Sequence, residues 1–307
     1  MVTGADILLG GIVPGILAVV TLALVWILTK NAASSWRTAA VVSFLAGLWA
    51  LDSQGVGVVA AISKSVRITE AKDFLPLMML LAVVPDSVAT LGKSGALAAW
   101  LMRLALCVFL PWRMLAGSVY LPKVAPPPNF DTGAWSTGEA VVWLGGSAAL
   151  LLATWSVIRA ESTEQPKLRS ALAALVAFAA AVTIALSGSI TTGQMMGVLT
   201  ATLTGCALAA WLLKLGRGPD AAAGPLVIAF GSILVFSHFI VDVKLLYTVL
   251  LVVGFAVGAG WFFPGKKWST PLRCAICLLA IGTAVGIAGK DFRAAQAEAA
   301  SNPYSNL

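Results

Sequence analysis

The residues of this chain that are best suited to chemistry are a few ionisable side chains inside long apolar runs. Such a residue is costly in a membrane unless it has a partner or faces water, so each one marks a candidate site. A first group, near one end of two runs, consists of Asp52, Gln54, His238 and Asp242. Asp242 follows His238 at the helical i, i+4 spacing, which predicts a hydrogen bond to the imidazole. If the two runs are neighbours, these side chains line a polar pocket, open to the outside, for a solute or a proton.

A second candidate site combines Asp86 with Arg103. Asp86 lies about 18 Å below the outer end of its run, at about 1.5 Å per helical residue. Arg103 lies about 12 Å above the inner end of the next run. In a hydrocarbon core about 30 Å thick, these two depths coincide. We therefore expect a buried ion pair, which either fixes the register of two helices or acts as an inner gate.

Other catalytic signatures are few. Cys274 and Cys277 form a CxxC sequence beside Arg273 at the start of the last run, a setting that would favour a thiolate. A thiol-redox role is one interpretation, and simple packing of small apolar side chains is the other. His238 is the only histidine, which excludes a haem held by two histidines and a three-histidine zinc site. The sequence has no nucleophile elbow, Walker loop or dinucleotide fingerprint, so it predicts no cofactor and no metal and favours a protein that is not an enzyme.

The elements that must position these residues are membrane helices. Of the 307 residues, 59% are hydrophobic and 11% are charged, whereas soluble domains carry about 25% charged residues. This composition excludes a cytosolic enzyme, a secreted disulfide scaffold and a disordered chain. The net charge of +7 does not indicate nucleic-acid binding, because the basic residues are dispersed at the ends of the apolar runs.

Ten apolar runs predict an all-α polytopic membrane protein with a single membrane domain over 1–307. Nine spans is the alternative, because Pro85, Gly92 and Pro111 interrupt the third and fourth runs. Ten spans would permit two inverted five-helix halves, 1–158 and 159–307. The runs are 7–29, 38–62, 74–91, 95–112, 139–158, 170–190, 194–214, 225–241, 245–263 and 271–289.

Basic residues concentrate in alternate connections, which the positive-inside rule assigns to the cytoplasm. They include Lys30, Arg37, Arg159, Lys167, Arg169, Lys214, Arg217, Lys266, Lys267 and Arg273. This pattern predicts a cytoplasmic (inner) membrane protein with both termini outside. The longest connection, 114–138, contains three consecutive prolines and is expected to form an outer spacer or docking loop.

Three functions are compatible with these features. A secondary transporter or permease for a small solute or ion accounts for the polar residues inside the runs. A non-catalytic subunit of a larger membrane complex accounts for glycine faces that could pack against partner helices. These faces are Gly11 with Gly15, Gly193 with Gly197, Gly254 with Gly258, and Gly282 with Gly286. A membrane thiol-redox enzyme is the third possibility; the predicted partners are the lipid bilayer, a solute and other membrane subunits, with no nucleic acid.

Overall fold

Helices dominate the structure, a computed structural model that describes residues 8–52, 71–121, 134–160, 165–260 and 269–301. In this part of the chain, seven helices are long and apolar enough to cross a membrane, and shorter apolar helices cover Leu75–Val88 and Leu245–Ala259. The α-helices are α1 (Val13–Thr29), α2 (Ala32–Asp52), α3 (Leu75–Leu81), α4 (Val83–Val88), α5 (Gly92–Leu115), α6 (Thr137–Arg159), α7 (Pro166–Leu186), α8 (Ile190–Leu212), α9 (Ala223–Ile240), α10 (Leu245–Ala259) and α11 (Ser269–Ser301). A π-helical turn, Leu8–Ile12, precedes α1, and 3-10 turns at Ala71–Phe74 and Pro219–Ala222 precede α3 and α9. Where the structure describes them, the predicted runs are mainly helix, which confirms the all-α architecture, while the count of ten spans stays a prediction.

The third run is broken and the fourth is continuous. The helix α3 ends at Leu81 and α4 begins at Val83, with Ala82 between them. Pro85 has no N–H, and its ring would clash with the carbonyl of Leu81 in an unbroken helix, which explains the break. Together α3 and α4 reach about 21 Å, less than the thickness of a hydrocarbon core. The expected interruptions of the fourth run are wrong, because α5 begins at Gly92 and continues through Pro111.

The helix α9 lies at the centre of the bundle. Every residue from Ala223 to Val235 is buried, as expected for a helix that is hydrophobic on all sides. It packs against α3, α5 and α6, which come from the first predicted half, and against α10 from the second. Residues of both halves therefore form one bundle, and an inverted relation between the halves stays a prediction.

Glycines let some of these helices approach closely. A Cβ atom at Gly205 on α8 would stand 2.2 Å from the carbonyl oxygen of Gly15 on α1, so the two backbones touch there. Gly254 and Gly258 on α10 likewise face neighbouring helices inside the bundle. Four other glycines of the predicted faces have no described helix or side chain within 4 Å of that position, namely Gly11, Gly197, Gly282 and Gly286.

The alternate connections that carry basic residues meet at one end of the bundle. Four of these connections contribute residues to the lining of one cavity, and an example from each is Asn31, Thr90, Arg159 and Asp220. Beside it, Gln165 of the fifth connection donates a hydrogen bond to Thr270 at the start of α11, with Nε2 and Oγ1 2.7 Å apart. At the far end of α11, Asp291 pairs with Lys244 in the short connection between α9 and α10. The two ends of the bundle are thus distinct, one with many arginines and one with few.

Candidate functional site

A polar cavity of about 660 Å³ opens at the arginine-rich end of the bundle. We call it the basic cavity, and its charged lining residues are Lys30, Arg37, Asp86, Arg159, Arg217 and Asp220. The chain builds it from helix ends: the N-terminus of α2, the C-terminus of α4, the C-terminus of α6 and the turn before α9. Most of these charged side chains lie near the ends of apolar runs, whereas Asp86 lies inside the third run.

Asp86, on the first turn of α4, contacts two arginines and one backbone N–H. Its Oδ1 lies 3.1 Å from Nη2 of Arg103 and 3.5 Å from Nε of Arg159. Its Oδ2 accepts a hydrogen bond from the backbone N–H of Gly224 at 3.2 Å. The side chain of Asp86 is 9% exposed and that of Arg103 is 7% exposed. The structure therefore brings Asp86 and Arg103 together and adds Arg159 and α9 to the group.

Asp220 forms a second, similar group in the turn before α9. Its Oδ1 lies 3.4 Å from Nη1 of Arg169, and its Oδ2 lies 3.3 Å from Nη1 of Arg217. The backbone N–H of Gly218 also donates to Oδ1. Arg169 is fully buried and donates through Nε to the carbonyl of Ala259, the last residue of α10. These bonds fix the ends of α7 and α10 to the turn that starts α9.

Two basic residues of the basic cavity have no carboxylate partner in the described part of the chain. Arg37 donates through Nη1 to Oγ of Ser87 at 3.0 Å, and its buried Nε has no hydrogen-bond partner there. The ammonium of Lys30 lies 5.9 Å from the centroid of the Trp26 ring. Since both carboxylates of the cavity already contact two arginines each, positive charge is in excess among the described residues.

A smaller cavity of about 400 Å³ lies on the other side of Arg159. It is lined by Arg103, Ser156, Arg159 and Ala160. The guanidinium of Arg103 lies 5.7 Å from the Trp155 ring centroid, and its Nε has no hydrogen-bond partner in the described region. Arg159, whose side chain is 39% exposed, therefore borders both cavities.

His238 lies at the opposite end of α9, in a different environment. Its Nδ1 is 2.7 Å from the carbonyl oxygen of Val243, and the centroid of its ring is 5.7 Å from that of Trp143. We call the rings around it the aromatic cluster, which consists of Tyr120, Trp135, Trp143, His238 and Phe239. The described partner of the imidazole is therefore the Val243 carbonyl rather than Asp242, the partner that the spacing predicted. The helix α9 ends at Ile240, and Asp242 is an exposed residue after it with φ of 59°.

The other residues of the predicted outer pocket are not joined to His238 by the described structure. Asp52 is the last residue of α2, is half-buried and makes no hydrogen bond or ion pair with a described residue. Gln54 and the prolines of the 114–138 loop lie outside the described residues. An outer pocket formed by Asp52, Gln54, His238 and Asp242 thus stays a prediction.

The CxxC cysteines are free thiols on α11. Cys277 is fully buried, and its Sγ donates to the carbonyl oxygen of Gly254 on α10 at 3.4 Å. Cys274, one turn earlier, is half-buried. Cys277 therefore occupies a helix–helix contact, and a thiol-redox role for the pair stays a prediction.

Sequence reasoning did not single out Arg37, Arg159, Arg169, Arg217 and Asp220 as site residues. It treated the arginines as membrane anchors at the ends of apolar runs. A usable signal was nevertheless present, because the alternation of connections places these residues on one side of the membrane. What the sequence does not show is that the helix ends converge around a cavity there.

Comparison with known proteins adds no assignment. A scan against protein-family models gave no match, and a search of curated proteins gave no significantly similar sequence. The functional interpretation therefore depends on the geometry and charge of the chain itself.

Proposed function

We propose that the chain is a membrane permease for a small solute and that the basic cavity is its solute-binding site. The observation that supports this most directly is the basic cavity, in which charged side chains from several helices surround about 660 Å³ of space. Ionisable residues in membrane helices that face a cavity commonly mark a solute or ion pathway. The volume lies within the range of small-molecule sites, about 300–1,000 Å³.

The broken third run supports the same function. Asp86 lies four residues after the break at Ala82, on a helix that contributes to the basic cavity. Irregular backbone at membrane depth is tolerated where it is buried in protein or lines a cavity, and many secondary transporters use interrupted helices at their binding sites.

The arrangement suggests how a solute would pass. The basic cavity opens at the end that the positive-inside rule predicts to be cytoplasmic. Arg159 and the Asp86–Arg103 pair separate it from the smaller cavity. In the proposed cycle, a solute bound beside Arg159 weakens the contact between Arg159 and Asp86. Arg159 then pairs with the solute in place of Asp86, and this change opens the path into the bundle.

A flux measurement tests the permease. The purified protein is reconstituted into liposomes loaded with a small-molecule cell extract, and the compounds that leave are identified by mass spectrometry. We expect at least one compound to leave faster than from protein-free liposomes, and Arg159→Gln to reduce that rate. Lys93→Gln is the matched control, since Lys93 is exposed and does not line the basic cavity. If no compound leaves faster through well-folded wild-type protein, the proposal is wrong.

A non-catalytic membrane subunit is the second candidate, and open glycine faces favour it. Gly282 and Gly286 lie one turn apart on α11, and a Cβ atom at either would meet no described residue within 4 Å, so another helix could approach there. A mild-detergent purification from the native membrane tests this candidate. A stoichiometric partner that is lost in Gly282→Leu but kept in Ile287→Leu would favour the subunit over an independent permease.

A further inference from the structure

We infer that the ligand of the basic cavity is an oxyanion, a molecule that carries a carboxylate or phosphate group. This inference rests on the proposed function of the cavity as a binding site, and it names the chemical class of what binds. It derives from the charge balance, the available donors and the shape of the cavity.

The charge balance is the first argument. Among the described residues, the carboxylates of the basic cavity are Asp86 and Asp220, and each is in contact with two arginines. Arg37 and Lys30 are additional cations without a described carboxylate partner. Glu161 and Glu164, in the connection after α6, lie outside the described residues and do not enter this balance. The excess of positive charge favours an anion and repels a cation.

The position of Arg37 is the second argument. Its Nη1 donates to Oγ of Ser87, and that hydroxyl donates in turn to the carbonyl of Val83, one turn earlier on α4. The guanidinium is therefore held in place, and the bond to Ser87 uses only one of its terminal N–H groups. A guanidinium presents a planar set of donors that matches carboxylate and phosphate oxygens, often through two hydrogen bonds. An oxyanion in the basic cavity would accept from the terminal N–H groups that remain.

The start of α2 is the third argument. Asn31, Ala32 and Ala33, at the N-terminus of this 21-residue helix, line the basic cavity next to Arg37. The side chain of Asn31 accepts from the N–H of Ser34, so the N–H groups of Ala32 and Ala33 are the ones left for an anion. Such first N–H groups of a helix carry partial positive charge and bind anions. Because a helix N-terminus and an uncompensated arginine face the same space, their fields add there.

Thermal unfolding with defined anions tests the inference. The protein in neutral detergent is titrated with inorganic phosphate, succinate or the neutral analogue succinamide, at constant ionic strength. A ligand that binds only the folded state raises the unfolding midpoint in a saturable way. We expect such a rise with phosphate or succinate and none with succinamide.

Variants place the effect at the basic cavity. Arg37→Gln is expected to raise the half-saturating anion concentration at least about tenfold, which equals a loss of about 1.4 kcal/mol in binding free energy. Arg37→Lys retains the charge without the planar donors and should lie between the wild type and Arg37→Gln. Lys93→Gln removes the same charge elsewhere and should bind as the wild type does. If Arg37→Gln responds like the wild type, or if neither the soluble anions nor phosphatidylglycerol raises the midpoint, the inference is overturned.

The same measurement in lipid nanodiscs distinguishes the two sources of the oxyanion, a free solute and a lipid headgroup. The protein is placed in nanodiscs of neutral lipid, with or without phosphatidylglycerol. If soluble anions raise the midpoint in neutral nanodiscs, the oxyanion is a free solute. If only phosphatidylglycerol raises the midpoint, and Arg37→Gln abolishes that rise, the oxyanion is a lipid headgroup. In that case the inference stands and the permease proposal loses its support. If the flux assay instead identifies a neutral or cationic solute that depends on Arg159, the permease stands and the oxyanion is wrong.

Discussion

The helices α6 and α9 each run between two regions of different composition, one rich in charged side chains and one rich in aromatic rings. At one end, Arg159 of α6 and Gly224 of α9 contact the carboxylate of Asp86. At the other end, about 21 Å away along α9, Trp143 of α6 packs against His238 of α9. The first region consists of paired and unpaired charges around a cavity, whereas the second is filled by aromatic rings.

The difference separates the histidine from the arginine groups, which lie at opposite ends of the bundle. His238 is the only histidine of the chain, and its imidazole hydrogen-bonds the Val243 carbonyl and lies among aromatic rings. The arginines, each unremarkable in the sequence, surround a cavity together. We therefore propose that solute binds in the basic cavity and that the aromatic cluster has a structural role.

The largest expected effect comes from Asp86→Asn. This variant is nearly isosteric and leaves Arg103 buried without a compensating charge, which costs about 3–5 kcal/mol of unfolding free energy. Denaturation in mixed micelles measures the loss. The double variant Asp86→Asn/Arg103→Met should recover most of it. Asp291→Asn, which removes an exposed carboxylate at the other end, should cause no comparable loss; equal losses would contradict the contrast.

The next effect comes from Gly224→Ala, beside the basic cavity. An added Cβ would stand 2.3 Å from the carbonyl oxygen of Ala82 and 2.6 Å from Trp155, so the backbone must shift. We expect a loss of about 1–3 kcal/mol in the same denaturation experiment, as for other overpacked sites. Gly282→Ala is the control, because its Cβ meets nothing within 4 Å. A harmless Gly224→Ala would show that α9 does not pack against the α3–α4 break as described.

A smaller effect is expected for His238→Gln in the aromatic cluster. Loss of the hydrogen bond to the Val243 carbonyl should cost about 0.5–1.5 kcal/mol of unfolding free energy. The response of the unfolding midpoint to phosphate or succinate should remain that of the wild type. A lost anion response in a folded His238→Gln protein would move the functional site to the other end of the bundle.

The smallest effect is expected for Lys244→Gln. A hydrogen bond to Asp291 raises the pKa of the exposed Lys244 ammonium. A raised pKa in the folded state means that the stabilisation is complete below the unfolded lysine pKa, about 10.4, and is lost as pH rises above it. The difference in unfolding midpoint between wild type and variant should be constant from about pH 7 to 9 and shrink at higher pH. A difference that changes near neutral pH would contradict this assignment.

The sequence predicted features that follow from regular helix geometry. Asp86 and Arg103, which residue counting places at one level, lie 3.1 Å apart because the helical rise is constant. The additional contacts of Asp86 with Arg159 and Gly224 could not be predicted, since they depend on which helices are neighbours. Run lengths carry no information about that choice.

The ends of helices were the least predictable feature. No glycine or proline marks the end of α9, so the apolar stretch through Val241 gave no reason to separate Asp242 from His238. Asp tolerates the left-handed backbone that Asp242 adopts there, and the turn redirects its side chain. Conversely, Pro111 suggested a break that α5 does not have.

The most direct test of the central claim is a measurement of anion-driven current. Proteoliposomes are adsorbed on a solid-supported membrane, and phosphate or succinate is added at constant ionic strength to wild type, Arg37→Gln, Lys93→Gln and His238→Gln. The account predicts a transient current in wild type, Lys93→Gln and His238→Gln, and a strongly reduced one in Arg37→Gln. A current that persists in Arg37→Gln and disappears in His238→Gln would contradict it.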